Sequence, residues 1–81
     1  MVCASGARPI PPMDLRKVMG ANARAARDAL GLSQEEIAHR AQMHVTYLSG
    51  VENGKRNPTI LILGRLAGAL GTSPSKLLEQ R

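Results

Sequence analysis

The stretch Ser33–Pro58, SQEEIAHRAQMHVTYLSGVENGKRNP, decides how the rest of the chain is read. It divides into a short helix, a tight turn, a second helix and a basic polar loop. Ile37, Ala38, Ala41, Met43, Leu48 and Val51 fall where two crossed helices hide them. Val45, Thr46, Tyr47, Ser49 and Gly50 lie between these positions and face outward. Such a surface is built to be presented, and Lys55 and Arg56 beside it point to a polyanion. The pattern implies a module that binds DNA.

The local signals inside the stretch are sharp. Ser33 can cap the Glu36 amide while the Glu36 side chain reaches back to the Ser33 amide, a capping box with Leu32 and Ile37 as its hydrophobic staple. Helix two is therefore expected from Gln34 to about Ala41. Gln42-Met43-His44 forms the turn. His44 is the expected N-cap of helix three, with Met43 and Leu48 as a second staple, although histidine caps less well than Ser or Thr. Helix three covers Val45 to about Asn53, and Gly54 stops it.

Upstream, Asp14 is a good N-cap for helix one. Leu15, Met19, Ala23, Ala26 and Leu30 step by three or four and predict one buried stripe, ended by Gly31. Residues 1–13, MVCASGARPIPPM, lack periodicity and hold Pro9, Pro11 and Pro12. Proline removes a donor and disfavours helix in the residue before it. The expected organisation is a flexible arm at 1–13, a disordered leader more than an arm that touches DNA through Arg8, followed by one domain at 14–81. Downstream, Pro58 is expected near the first turn of helix four, about Thr59 to Leu70, where its missing N–H costs nothing. Ile60, Leu63, Leu66, Ala67 and Leu70 are expected to face the core, and Gly71 to cap the end. Thr72 or Ser73, with Pro74 at the first helical position, starts a short helix five docked by Leu77 and Leu78.

Composition agrees. The 81 residues suit a single domain. There is no Phe or Trp and one Tyr, so the core must be aliphatic, which favours packed helices over a β-sandwich. The net charge of +5 favours an anionic partner, nucleic acid before membrane. One cysteine, Cys3, excludes an internal disulfide and fits a reducing compartment. No apolar run approaches the ~20 residues of a membrane span. The first residues lack the apolar segment of ~7–15 residues found in secretory signals. A cytoplasmic location is expected.

The segments GLSQEEIAHRA, YLSGVENGKRNP and LGRLAGALGTSPSKLL together resemble the Xre/Cro-type helix-turn-helix family of phage and bacterial repressors. The resemblance covers about Leu15 to Leu78. It implies an all-α, compact five-helix bundle in which helices two and three form the motif and helix three enters the major groove of double-stranded DNA. It also implies residue roles. Gln34, and with it Ser33, stands at a helix N-terminus that suits a phosphate, and Gln34 resembles the glutamine that also braces helix three. Val45, Thr46, Ser49 and Gly50 match base-reading positions. Asn53, Lys55 and Arg56 match the loop that grips phosphates, and Tyr47, on the same end and expected to bind phosphate, can reach the DNA backbone or the groove. Arg27 matches an arginine that pairs with a glutamate, here Glu52, to tie helix one to helix three.

The departures from the family pattern are informative. Gln42 stands where Gly is common, and His44 where Ser or Thr usually caps. Gly50 offers no side chain, Val45 suits a thymine methyl, and Thr46 and Ser49 can bond several bases. Modest direct readout is expected, with a larger share from phosphates and DNA shape. The run Ile60–Leu63 is apolar throughout and cannot all face one core, whereas the family commonly keeps positions matching Leu61 and Ile62 polar. Leu61, Ile62, Gly64, Arg65 and Gly68 are therefore the expected homodimer interface.

An enzyme is not expected. His39 and His44 are five apart and do not share a helix face, no metal-ligand spacing stands out, and Ser49 has no histidine partner. Neither a cofactor nor a small-molecule effector is implied. The expected function is a sequence-specific DNA-binding transcriptional regulator, a homodimeric repressor. The alternative is an antitoxin or adaptor whose main role is protein–protein interaction.

Overall fold

The computed structural model describes residues 14–80, so the expected arm at 1–13 lies outside the described residues. Five helices follow in order: α1 (Leu15–Leu30), α2 (Gln34–Arg40), α3 (Val45–Glu52), α4 (Ile60–Leu70) and α5 (Pro74–Leu77). Among the described residues there is no strand. The fold is an all-α five-helix bundle in which α1 packs on α3, α4 and α5, and α2 packs on α3 and α4.

Local chemistry explains most helix ends. The Asp14 carboxylate accepts the Arg16 amide at 3.1 Å, and Gly31 closes α1 at φ 70°. The Ser33 hydroxyl accepts the Glu36 amide at 3.1 Å. Only half of the capping box forms, because the Glu36 carboxylate turns to Arg40 one turn ahead, at 3.0 Å. Thr59 Oγ1 accepts the Ile62 amide and Ser73 Oγ accepts the Lys76 amide. Pro74 opens α5. With Thr59 as the cap, Pro58 lies immediately ahead of α4, near its first turn. His44 sits at the N-cap of α3 with no side-chain bond.

The core is aliphatic: Met19, Ala23, Ile37, Ala38, Ala41, Leu48, Val51, Leu63, Leu66, Ala67, Leu70 and Leu77. Four expected core residues are not in it. Leu15 and Leu30 are each half-exposed, Ile60 is 85% exposed and Leu78 is partly exposed. The apolar period gives the face of a helix but not the length of its partner. At 1.5 Å per residue α1 is about 24 Å long and α3 about 12 Å, so α1 overhangs at both ends. The single turn of α5 is likewise too short to cover Ile60. Leu78 caps the single turn of α5 and remains partly exposed, while Leu77, the last helical residue, is buried. Leu15, Ile60 and Leu78 instead border one shallow apolar groove.

Two polar or bare positions of α1 complete the packing. The buried Asn22 donates from Nδ2 to the carbonyls of Leu77, at 2.9 Å, and Glu79, at 2.8 Å, which fastens the chain after α5 to α1. Gly20 faces α3: a Cβ there would collide with the Val51 carbonyl oxygen and stand 2.8 Å from that of Glu52. The two helices meet backbone to backbone.

Candidate nucleic-acid interface

The inner side of α3 carries Leu48 and Val51, both fully buried, and Glu52. The Glu52 carboxylate is the meeting point of three helices. Arg27 of α1 donates Nε to Oε2 at 2.7 Å and Nη2 to Oε1 at 3.0 Å, a two-pronged bond. Gln34 of α2 donates Nε2 to Oε1 at 2.9 Å. Arg27 also donates Nη1 to the Leu32 carbonyl at 2.9 Å, which holds the α1–α2 connection. Burial pushes the Glu52 carboxyl up, but the bonds from Arg27 and Gln34 and the charges of Arg27 and Arg24 outweigh it and hold the group below its ordinary range. The bond to Glu52 raises Arg27 in turn, against its own desolvation.

The outer side of α3 presents Val45 and Thr46, both exposed, with Ser49 and Gly50 half-buried. Beyond the helix end Asn53, Lys55 and Arg56 are exposed, and so is Ser33 at the start of α2. Ser33 Oγ is occupied by the Glu36 amide and the Gln34 amide nitrogen by Glu52. Tyr47 is half-buried against the core, and the Arg56 guanidinium lies over its ring at 5.8 Å from the centroid. Gly50 is not vacant space: a Cβ there would meet Arg56 Cγ at 2.7 Å and Nε at 3.3 Å. The stem of Arg56 lies across the bare Gly50 backbone and its head reaches Tyr47. Both residues occupy one helical face, three positions apart. That spacing is the signal by which the cradle could have been found in the sequence.

The turn between α2 and α3 contains Gln42 at φ 58°, the left-handed conformation that the missing glycine would take without strain. A side chain there costs about 1–2 kcal/mol. The Met43 amide bonds the Ala38 carbonyl at 2.9 Å and the Gln42 amide that of His39 at 3.1 Å, which closes α2. Arg65 of α4 donates Nε to the Ala41 carbonyl at 3.1 Å and Nη2 to the Gln42 carbonyl at 2.9 Å. Sequence reasoning placed Arg65 only on the outer face of α4. Its side chain is exposed there, yet it reaches the turn.

Along the rest of that face Leu61 is 80% exposed and Ile62 is half-buried. A Cβ at Gly64 or Gly68 would meet nothing within 4 Å. No helix among the described residues is long and apolar enough to cross a membrane. The described residues gather no group of three potential His, Cys, Asp or Glu metal ligands.

Comparison with known proteins names this arrangement. The helix-turn-helix family profile matches residues 24–77. The chain is 46% identical over 66 residues to the HTH-type transcriptional regulator y4dJ of Sinorhizobium fredii, covering 82% of this chain and 86% of the relative. The chain belongs to the helix-turn-helix family of DNA-binding transcriptional regulators. It is also 41% identical over 69 residues to the control protein C.SmaI of Serratia marcescens, covering 85% of this chain and 82% of that protein. Among solved structures, the restriction-modification controller protein C.AhdI from Aeromonas hydrophila superposes with a TM-score of 0.74 at 37% identity, over 76% of this chain and 94% of that one.

Proposed function

We propose that the protein is a sequence-specific regulator of transcription that acts in the cytoplasm as a homodimer and represses its target by placing α3 in the major groove. The observation that carries this reading is the division of α3 into two sides. Leu48, Val51 and Glu52 are spent on holding the helix, while Val45, Thr46 and Ser49 are left on the other side with Lys55 and Arg56 just beyond. In this reading Val45, Thr46 and Ser49 meet base edges, while the expected fourth position, Gly50, is covered by the stem of Arg56. Ser33, Gln34, Tyr47, Asn53, Lys55 and Arg56 meet phosphates, which fix register without reading sequence.

The uncovered Leu61 and the bare Gly64 and Gly68 backbone support self-association through the outer face of α4, with Ile62 and Arg65 at its margins. A two-fold axis there presents two copies of α3 to half-sites roughly 34 Å apart. The relatives that are control proteins support the more particular role of a restriction-modification controller. The deciding experiment is selection from a random duplex pool near physiological salt. An enriched palindrome with half-sites one turn apart is the expected result. Enrichment of nothing, with binding that collapses as salt rises, overturns sequence-specific reading. In that case the exposed Ile60 and Leu61 favour the second reading, an antitoxin or adaptor that works through a protein partner.

A further inference from the structure

The α2–α3 turn sets the angle at which α3 leaves the bundle. It also holds Gln42, the one non-glycine residue of positive φ among the described residues. The Gln42 and Met43 amides are satisfied from within α2, by the carbonyls of His39 and Ala38. The Ala41 and Gln42 carbonyls are met from elsewhere, by Nε and Nη2 of the Arg65 guanidinium at 3.1 and 2.9 Å. Nothing else in the described hydrogen bonding fastens α4 to this turn. Arg65 rises from the outer face of α4, one turn from Leu61 and from Gly68.

We infer that Arg65 is a positioning residue for α3: its two-pronged grip on the Ala41 and Gln42 carbonyls holds the left-handed turn in the one conformation that aims the helix. Because Arg65 stands on the face that we assign to self-association, the same grip links the posture of α3 to the covering of α4. This rests on the reading of α3 as the DNA-contacting helix. Arginine is suited to the task and lysine is not. The planar guanidinium offers two parallel donors to two adjacent carbonyls, whereas an ammonium is a point charge on a loose stem. Gln42 makes the grip necessary. A glycine would enter the left-handed region unaided, while glutamine relaxes out of it once the carbonyls are released.

The test is a double-variant cycle between Arg65 and Gln42, with Arg65→Lys as the charge-preserving control. Amide exchange at Met43 and affinity for the selected duplex are measured together, and sedimentation gives the oligomeric state of each variant. Arg65→Ala is expected to speed exchange at Met43 and to weaken duplex binding about tenfold while the chain remains folded. Gln42→Gly in the Arg65→Ala background restores both, and Arg65→Lys restores neither fully. Should Arg65→Ala not fold, Arg65→Lys against the wild type reads the same two quantities. The inference is overturned if Met43 exchange is unchanged, if Gln42→Gly gives no rescue, or if Arg65→Lys behaves as wild type, which would leave only a charge or an interface contact. The exchange arm uses no DNA. A wild-type chain that selects no duplex therefore sinks the DNA reading while Met43 exchange still decides the grip.

Discussion

The inner side of α3 and the outer face of α4 are opposites. On the first, each polar group has its partner: Glu52 accepts three bonds, Arg27 is shared between Glu52 and Leu32, and Gly20 lets two backbones touch. On the second, Leu61 stands in solvent and two glycines expose backbone with nothing near. On the proposed reading the difference separates what must be settled before a partner arrives from what a partner completes. A helix that reads DNA gains by being rigid beforehand, since ordering it on binding would cost affinity. An interface between copies needs no internal support, because the other copy supplies it.

The contrast can be broken at its strong side first. Glu52→Ala leaves Arg27 and Gln34 without their acceptor, and breaking such a pair by removing one partner costs about 3 kcal/mol or more. Urea unfolding should show that loss with an unchanged slope, and duplex binding should fall with it; a loss within about 0.5 kcal/mol would show that α3 is held by its leucine and valine alone. Gly20→Ala should cost about 2 kcal/mol in the same assay, because the added methyl meets carbonyls of α3 and not a side chain that can swing aside. Acid probes the same junction. A carboxyl held below its ordinary 4.5 contributes stability that is fully present above that value and is lost as pH falls through the lower folded value. Stability of the wild type should therefore decline below about pH 4.5, and Glu52→Gln should flatten that decline.

The weaker side is probed by Leu61→Glu. Its folding stability should stay within about 0.5 kcal/mol of wild type, while the dimer dissociation constant rises at least about tenfold, since a charge is set into an apolar contact. A monomeric wild type at tens of micromolar, free and on DNA, would remove the interface altogether. The smallest effect is expected at the basic loop. Lys55→Ala should weaken binding alike for every duplex and lower the salt slope by about one. Thr46→Ala or Ser49→Ala should instead change the preferred sequence.

What the sequence showed, and what it hid, follows the same division. The caps at Asp14 and Ser33, the stops at Gly31 and Gly71, and the buried Ile37, Leu48, Val51, Leu63, Leu66 and Leu70 were legible, because each depends on residues one turn apart. The left-handed turn at Gln42 was legible as a departure from a pattern. Ile60, Leu15 and Leu78 were misread because periodicity is blind to where a neighbouring helix stops. Gly20 was invisible: a glycine inside a helix reads as a weakness until the facing carbonyls of α3 are known. Gly50 was read as a position with nothing to offer, although Arg56 lies on it. Arg65 was placed on its face correctly, yet a long side chain can deliver its head to another element.

The backbone contact at Gly20 also bears on how such a domain changes its target. A helix seated by interlocking side chains has to be repacked whenever its neighbours change. Here the stop is made of main-chain atoms, which are the same whatever residues α3 carries, and the anchoring positions Leu48, Val51 and Glu52 are separate from Val45, Thr46 and Ser49. On the proposed reading these three positions are thus an exchangeable insert in a fixed socket, and substitution there reaches new operators without redesigning the bundle.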